Sequence, residues 1–173
     1  MTSYKTLLKN INTFIFDYDG VLSDGSIITL DDGEAYRTTN VKDGYALQLA
    51  VKKGYRVAVI SGAKANGMLN RLTALQIKDI FLGIENKAEV FENYLKDNDI
   101  RTDQVLFMGD DIPDYEVMLK AGISTCPADA AEEIRKVSNY ISAFPGGKGC
   151  VRDVIEQVLK IQGKWMNDDG YHW

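Results

Sequence analysis

The sequence predicts an α/β fold: a doubly wound, Rossmann-like and mostly parallel sheet with helices on both faces. Three observations point there. Four apolar runs, at 13–17 ("TFIFD"), 56–60 ("RVAVI"), 79–83 ("DIFLG") and 105–109 ("VLFMG"), have the length and the β-branched or aromatic richness of buried parallel strands. Helical patterns alternate with them, which implies right-handed crossovers. Polar and glycine-rich clusters follow several of the runs, and open α/β sheets hold their ligands at the carboxyl ends of their strands.

Taken in order, the first run passes directly into an acidic loop, "DYDGVLSDG" at 17–25. Residues 26–39 break the strand–helix alternation with two strand-like pieces around Asp32-Gly33, a strong turn signal, and predict a projecting β-hairpin. A lone hairpin is poorly stable, so this one should pack on something, such as another subunit. Apolar residues three and four apart then predict helices over 43–53, 64–75, 87–98, 113–121, 129–137 and 148–160. Weaker strands are expected at 122–126 and 139–142. The periodicity fades in "GKWMNDDGYHW", so one domain is expected over 1–164, followed by a mobile tail over 165–173.

Bulk properties narrow the class. A chain of 173 residues can bury a full core in one domain. Hydrophobic residues make up 45%, charged residues 26%, and the formal net charge is -5, which argues against nucleic-acid and membrane partners. Cys126 and Cys150 lack metal or redox spacing and read as reduced core thiols. No apolar run approaches the roughly 20 residues that span a bilayer, and "MTSYKTLLKN" lacks a signal-peptide core, so a cytoplasmic protein is expected.

The chemistry concentrates at predicted strand ends. Asp17 and Asp19 follow the first strand, Ser61 and Gly62 the second, and Asp110 and Asp111 the fourth, while Lys87 opens the helix after the third. Each has a bland alternative: a turn, a helix cap or a solvated lysine. Together they complement one another, because two carboxylates in a poorly solvated place need a cation. Hard carboxylate oxygens suit Mg²⁺, and a metal-bound aspartate can attack phosphorus while its neighbour two residues on transfers a proton. Ser61, Lys87 and backbone N–H groups would hold phosphate oxygens.

"DYDGVLSDG", "ISG", the lysine of "NKAEVF" and "GDDIPD" resemble the four motifs of the haloacid dehalogenase superfamily of phosphatases. The resemblance implies Asp17 as nucleophile, Asp19 as acid/base, and Mg²⁺ held by the Asp17 side chain, the Asp19 backbone carbonyl and Asp110, with Asp111 supporting the metal's water shell. Only the hairpin follows Asp19, and about 25 residues separate Ser61 from Lys87, so no cap domain fits. The chain is therefore similar to the cap-less subgroup, whose neighbours in a homotetramer do the cap's work.

Within that subgroup, "NVKDGYALQ" (40–48), "FPGGKGCVRDVIEQVLKIQGKW" (144–165) and the hairpin resemble the branch acting on 3-deoxy-D-manno-octulosonate 8-phosphate in lipopolysaccharide synthesis. A related branch acts on nine-carbon sialic-acid-like 9-phosphates. The resemblance implies a sugar-acid phosphate substrate met by Asn40, Val41, Lys42, Asp43, Gly44, Gly62 and Arg71. Lys148, flanked by glycines, is a further anion contact unless "GGKG" is a simple turn. Lys42, Gln48 and Ala63 stand where the family commonly has arginine, so carboxylate recognition would shift to Lys64, Arg71 or Lys148. Glu34, Tyr36 and Arg37 read as solvated strand residues or subunit contacts. Two non-enzyme alternatives are a phosphoacceptor receiver domain, which would need an aspartate where Ser61 stands, and a scaffold, which would have lost Asp17 or Asp19.

Overall fold

The computed structural model describes residues 4–31, 33–166 and 171. A short helix, α1 (Tyr4–Leu7), which the sequence did not suggest, leads into β1 (Thr13–Phe16). The hairpin strands β2 (Ile28–Thr29) and β3 (Ala35–Tyr36) follow, and then α2 (Val41–Lys52), β4 (Arg56–Ser61), α3 (Asn66–Ala74), β5 (Asp79–Leu82) and α4 (Lys87–Asp97). The second half runs through β6 (Val105–Met108), α5 (Tyr115–Lys120), β7 (Ile123–Cys126), α6 (Glu132–Val137), β8 (Tyr140–Ile141) and α7 (Cys150–Ile161).

Six strands form one sheet in the order β5-β4-β1-β6-β7-β8, and every pairing in it is parallel. All four residues of β1 are buried, because both faces of the sheet are covered. Phe14 and Phe16 point into a core shared with α2, α3 and α7, whereas Ile15 points into a second core built with α4, α5 and α6. Phe91 of α4 meets Phe107 of β6 edge-on at 6.3 Å. Fully buried side chains of this size each contribute about 1.5–3 kcal/mol.

The topology decides where a ligand can sit. From β1 the chain moves outward through β4 to β5, then crosses back to β6 on the other side of β1. The carboxyl ends of β1, β4 and β6 therefore surround the crevice where the strand order reverses. The Asp17 N–H donates to the Met108 carbonyl at 3.0 Å and fixes the end of β1 against β6.

Local chemistry sets most boundaries within a few residues of expectation. Asn40 caps α2 by accepting from the Lys42 and Asp43 N–H groups, and Asn86 caps α4 by accepting from the Glu89 N–H. The helix expected from 113 begins instead as a 3-10 turn, Ile112–Asp114, before α5. The hairpin keeps only two residues per strand, and Asp32 of its turn lies outside the described residues. No cap domain is present among the described residues. Most of the tail expected over 165–173, including His172 and Trp173, lies outside them too; Trp165 itself packs edge-on against Tyr45 at 6.5 Å.

Candidate active site

A cleft of about 330 Å³ opens at the switch point, and Asp17, Asp19, Ser61, Gly62, Lys87, Asp110, Asp111 and Asp114 are among the residues lining it. Lys87 is the first residue of α4, and its side chain is only 5% exposed. Its Nζ lies 3.0 Å from Asp17 Oδ1 and donates to Asp114 Oδ1 at 2.7 Å. Asp114 is fully buried, and its other oxygen accepts from the Asp110 N–H at 3.0 Å. Gly109 permits this, since a Cβ there would overlap the Asp114 side chain. Sequence reasoning took "GDDIPD" for Asp110 and Asp111 and missed Asp114, although the motif contains it.

Asp17, Asp110 and Asp114 bring carboxylate oxygens within 4.8 Å of one another. Asp110 Oδ1 is buried without a hydrogen bond, and Asp17 Oδ1, also buried, has the Lys87 ion pair as its contact. Burial, followed by repulsion from Asp114, lifts the Asp17 carboxyl well above the usual range, against the pull of Lys87. Burial and the charges of Asp17, Asp114 and Asp111 push Asp110 up to about 8. Two buried carboxyls that resist ionisation, one of them with an unpartnered oxygen, are what a hard divalent cation would relieve. Both oxygens of Asp114 are committed to Lys87 and to the Asp110 backbone, so it orients the cluster and leaves Asp17 and Asp110 as the candidate ligands.

Glycine makes this close approach possible. Gly20 sits at φ +83°, where an L side chain is strained, and a Cβ there would overlap Asp110 Oδ2. Lys87 illustrates the opposite constraint: burial opposes its charge, but Asp17 and Asp114 outweigh that and raise its pKa.

The Asp19 side chain stands apart from the acidic group. Its Oδ1 accepts from Arg37 Nε at 2.6 Å and from Ser23 Oγ at 3.1 Å, and its Oδ2 accepts from Arg37 Nη2 at 2.9 Å. Arg37 therefore is not a solvated hairpin residue: its side chain is 7% exposed. No short-range sequence pattern signalled a pair 18 residues apart. Asp111 is exposed and lines the cleft. At the end of β4, Ser61 is 1% exposed and its Oγ accepts from the Ala63 N–H at 3.2 Å, so the oxygen faces the cleft beside the exposed Gly62 backbone.

Of the residues expected to meet the substrate, Gly62 lines the cleft, while Asn40, Lys42, Asp43, Gly44, Arg71 and Lys148 line other cavities. Asp43 is 1% exposed, and its oxygens accept from the Gly149 and Arg152 N–H groups at 3.1 and 2.7 Å. It caps the start of α7, a structural role that its reading as a substrate contact did not include. Gly44 abuts the Arg71 guanidinium, and both line a narrow crevice with Tyr18 and Asn40. Among the described residues no carboxylate pairs with Arg71. Val41 is 65% exposed, while Lys42 and Lys148 line a separate surface cavity. Lys148 Nζ lies 3.2 Å from Asp24 Oδ2.

The "GGKG" loop braces the acidic loop. The Gly147 N–H donates to the Val21 carbonyl at 2.9 Å, and a Cβ on Gly146 would overlap the Gly20 carbonyl. Its glycines thus serve backbone-to-backbone packing beneath Gly20.

Residues 42–128 match the haloacid dehalogenase-like hydrolase family. The chain is 37% identical over 163 residues to the 3-deoxy-D-manno-octulosonate 8-phosphate phosphatase KdsC of Salmonella typhi, covering 94% of this chain and 87% of that protein. It is 38% identical to KdsC of Escherichia coli K12 over 90% of this chain and 83% of that one. Among solved structures, the Moraxella catarrhalis 3-deoxy-D-manno-octulosonate 8-phosphate phosphatase, in complex with magnesium ion, phosphate ion and KDO, superimposes with a TM-score of 0.89 at 33% identity, covering 92% of this chain and 91% of that one. The cobalt-bound Haemophilus influenzae phosphatase gives a TM-score of 0.90 at 30% identity, over 95% and 98% of the two chains.

Proposed function

The chain belongs to the haloacid dehalogenase-like hydrolase family, and we propose that it is a magnesium-dependent phosphomonoesterase. Its substrate is 3-deoxy-D-manno-octulosonate 8-phosphate, which it hydrolyses to the free keto sugar acid and phosphate for lipopolysaccharide biosynthesis. The observation that carries this reading is the buried carboxylate cluster in the switch-point cleft, in which Asp110 Oδ1 has no partner and Asp17 Oδ1 faces the buried Lys87 ammonium. Its substrate class rests on relatives that match over nine-tenths of the chain.

Asp17 and Asp110, with the Asp19 backbone carbonyl, would hold the Mg²⁺, which when bound supplies the positive charge that neutralises the carboxylates and the phosphate oxygens. The Asp17 carboxylate attacks phosphorus in line, the bond to the sugar oxygen breaks with its electron pair on that oxygen, and the Asp19 carboxyl donates the proton it needs. Water then attacks the aspartyl phosphate, gives its proton to Asp19, and Asp17 leaves as a carboxylate. Lys87 Nζ, Ser61 Oγ and the Gly62 N–H hold the phosphate oxygens throughout. Asp111, exposed at the cleft, would support the water shell of the bound metal.

The sugar's carboxylate needs cations, and among the described residues lining the cleft Lys87 is the one present, with Ala63 where the family commonly has arginine. A homotetramer answers this: Ile28 and Tyr36 on the hairpin are 59% and 56% exposed, an apolar surface suited to another subunit. Val41, Lys42, Lys64, Arg71 and Lys148 then serve the substrate across subunits, while Asn40, Asp43 and Gly44 fix their backbone. No helix among the described residues is long and apolar enough to cross a membrane, and the site of action proposed is the cytoplasm.

The test is steady-state phosphate release with Mg²⁺ from eight-carbon and nine-carbon keto-acid phosphates, with common sugar phosphates as controls. The eight-carbon ester should give the highest kcat/KM. Preference for the nine-carbon ester would move the chain to that branch, and preference for a simple sugar phosphate would remove the keto-acid assignment.

A further inference from the structure

We propose that Arg37 is a positioning residue for the acid/base carboxylate: it fixes the Asp19 side chain at the cleft wall and ties that carboxylate to the projecting hairpin. The inference rests on the phosphatase reading above and extends it to a residue outside the four motifs.

The geometry is specific. Arg37 engages Asp19 as a two-pronged fork, Nε to Oδ1 at 2.6 Å and Nη2 to Oδ2 at 2.9 Å. Such bidentate, charge-assisted pairs set orientation as well as energy. The third prong, Nη1, donates to the Ala35 carbonyl at 3.2 Å, so one guanidinium spans β3 and the loop after β1. Exposed ion pairs rarely matter, but this one is partly buried: the Arg37 side chain is 7% exposed and that of Asp19 27%, while Tyr36 beside Arg37 is 56% exposed. Among the described hairpin residues Ile28 and Tyr36 face outward, whereas the Arg37 side chain turns inward to Asp19 at the cleft wall. Ser23 Oγ donates to Asp19 Oδ1 at 3.1 Å and completes the cradle.

Held this way, the carboxylate cannot rotate between staggered positions, and a misplacement of about 1 Å in a catalytic group can reduce a rate about 100-fold. The affected step is proton transfer between Asp19 and the leaving oxygen as the phosphorus–oxygen bond breaks. An ester whose leaving group departs as a stable anion does not need that proton. Lysine at this position keeps the charge and loses the fork.

The experiment compares R37A, R37Q and R37K with wild type in single turnover on two esters: 3-deoxy-D-manno-octulosonate 8-phosphate, and p-nitrophenyl phosphate, whose phenolate leaves unprotonated. We expect R37A and R37Q to slow sugar release about 10- to 100-fold while p-nitrophenolate release changes less than about threefold, with R37K intermediate. KM for the sugar ester should change less than kcat. Equal slowing of both esters would reduce Arg37 to a fold contact, and unchanged sugar release would remove it from the reaction; either overturns the inference. Wild-type chain inactive on both esters would instead overturn the phosphatase reading.

Discussion

Asp114 accepts a 2.7 Å hydrogen bond from Lys87 Nζ across 27 residues of sequence, and both side chains are buried. This pair joins the start of α4 to the turn after β6 and so holds together the two halves of the cleft. Removing Asp114 leaves the buried Lys87 with Asp17 as its remaining carboxylate partner and frees the Asp110 backbone, so D114A should lose about 1–3 kcal/mol of stability in urea unfolding. D114N, which keeps an oxygen for one donor, should unfold at a concentration between those of wild type and D114A. Its kcat should still fall about 100-fold, because Lys87 and Asp110 shift together.

The metal-free acidic cluster sets a pH dependence with a definite sign. Asp17 and Asp110 have raised pKa values in the folded chain, Asp110 at about 8, against about 4 when unfolded. The folded state therefore binds more protons than the unfolded state between about pH 4 and pH 8, and stability falls as pH rises through that window. Thermal melting of the metal-free chain should show Tm falling from pH 5 to pH 8. Added Mg²⁺ should raise Tm more at pH 8 than at pH 5, since at low pH it competes with protons.

Asp43 separates a structural from a substrate role. Loss of its two bonds to the start of α7 predicts that D43A is destabilised by about 1–2 kcal/mol. In chain that stays folded, KM should change little. A large rise in KM with unchanged stability would return Asp43 to the substrate's surroundings.

Gly20 tests how tightly the acidic loop is fitted. G20A places a methyl group where Asp110 Oδ2 lies and strains a positive-φ backbone. The variant should bind Mg²⁺ at least tenfold more weakly by calorimetric titration and lose most turnover. Because the clash is at the cleft and not in either core, it should retain native secondary structure by circular dichroism.

The sheet was legible because its strands are buried on both faces and read as continuous apolar runs, and the strand-end rule then located Asp17, Ser61, Lys87 and Asp110 without any contact information. Residues whose roles depend on long-range side-chain geometry were not. Asp43 lies in a run that looks like a ligand loop, yet its partner is a helix start 106 residues away. Arg37 sits in a short hairpin whose polarity suggests solvent, yet it folds back on Asp19. Asp114 was in view within "GDDIPD", but only the 3-10 turn at Ile112–Asp114 shows why it faces inward.

The central claim, that Asp17 carries the phosphoryl group, is tested most directly by acid-quenching the protein during turnover of ³²P-labelled 3-deoxy-D-manno-octulosonate 8-phosphate and mapping the labelled peptide. We predict a hydroxylamine-labile label on Asp17 in the wild type and none in D17N, which should have no turnover. Undiminished turnover by D17N, or label on a residue other than Asp17, would contradict the account.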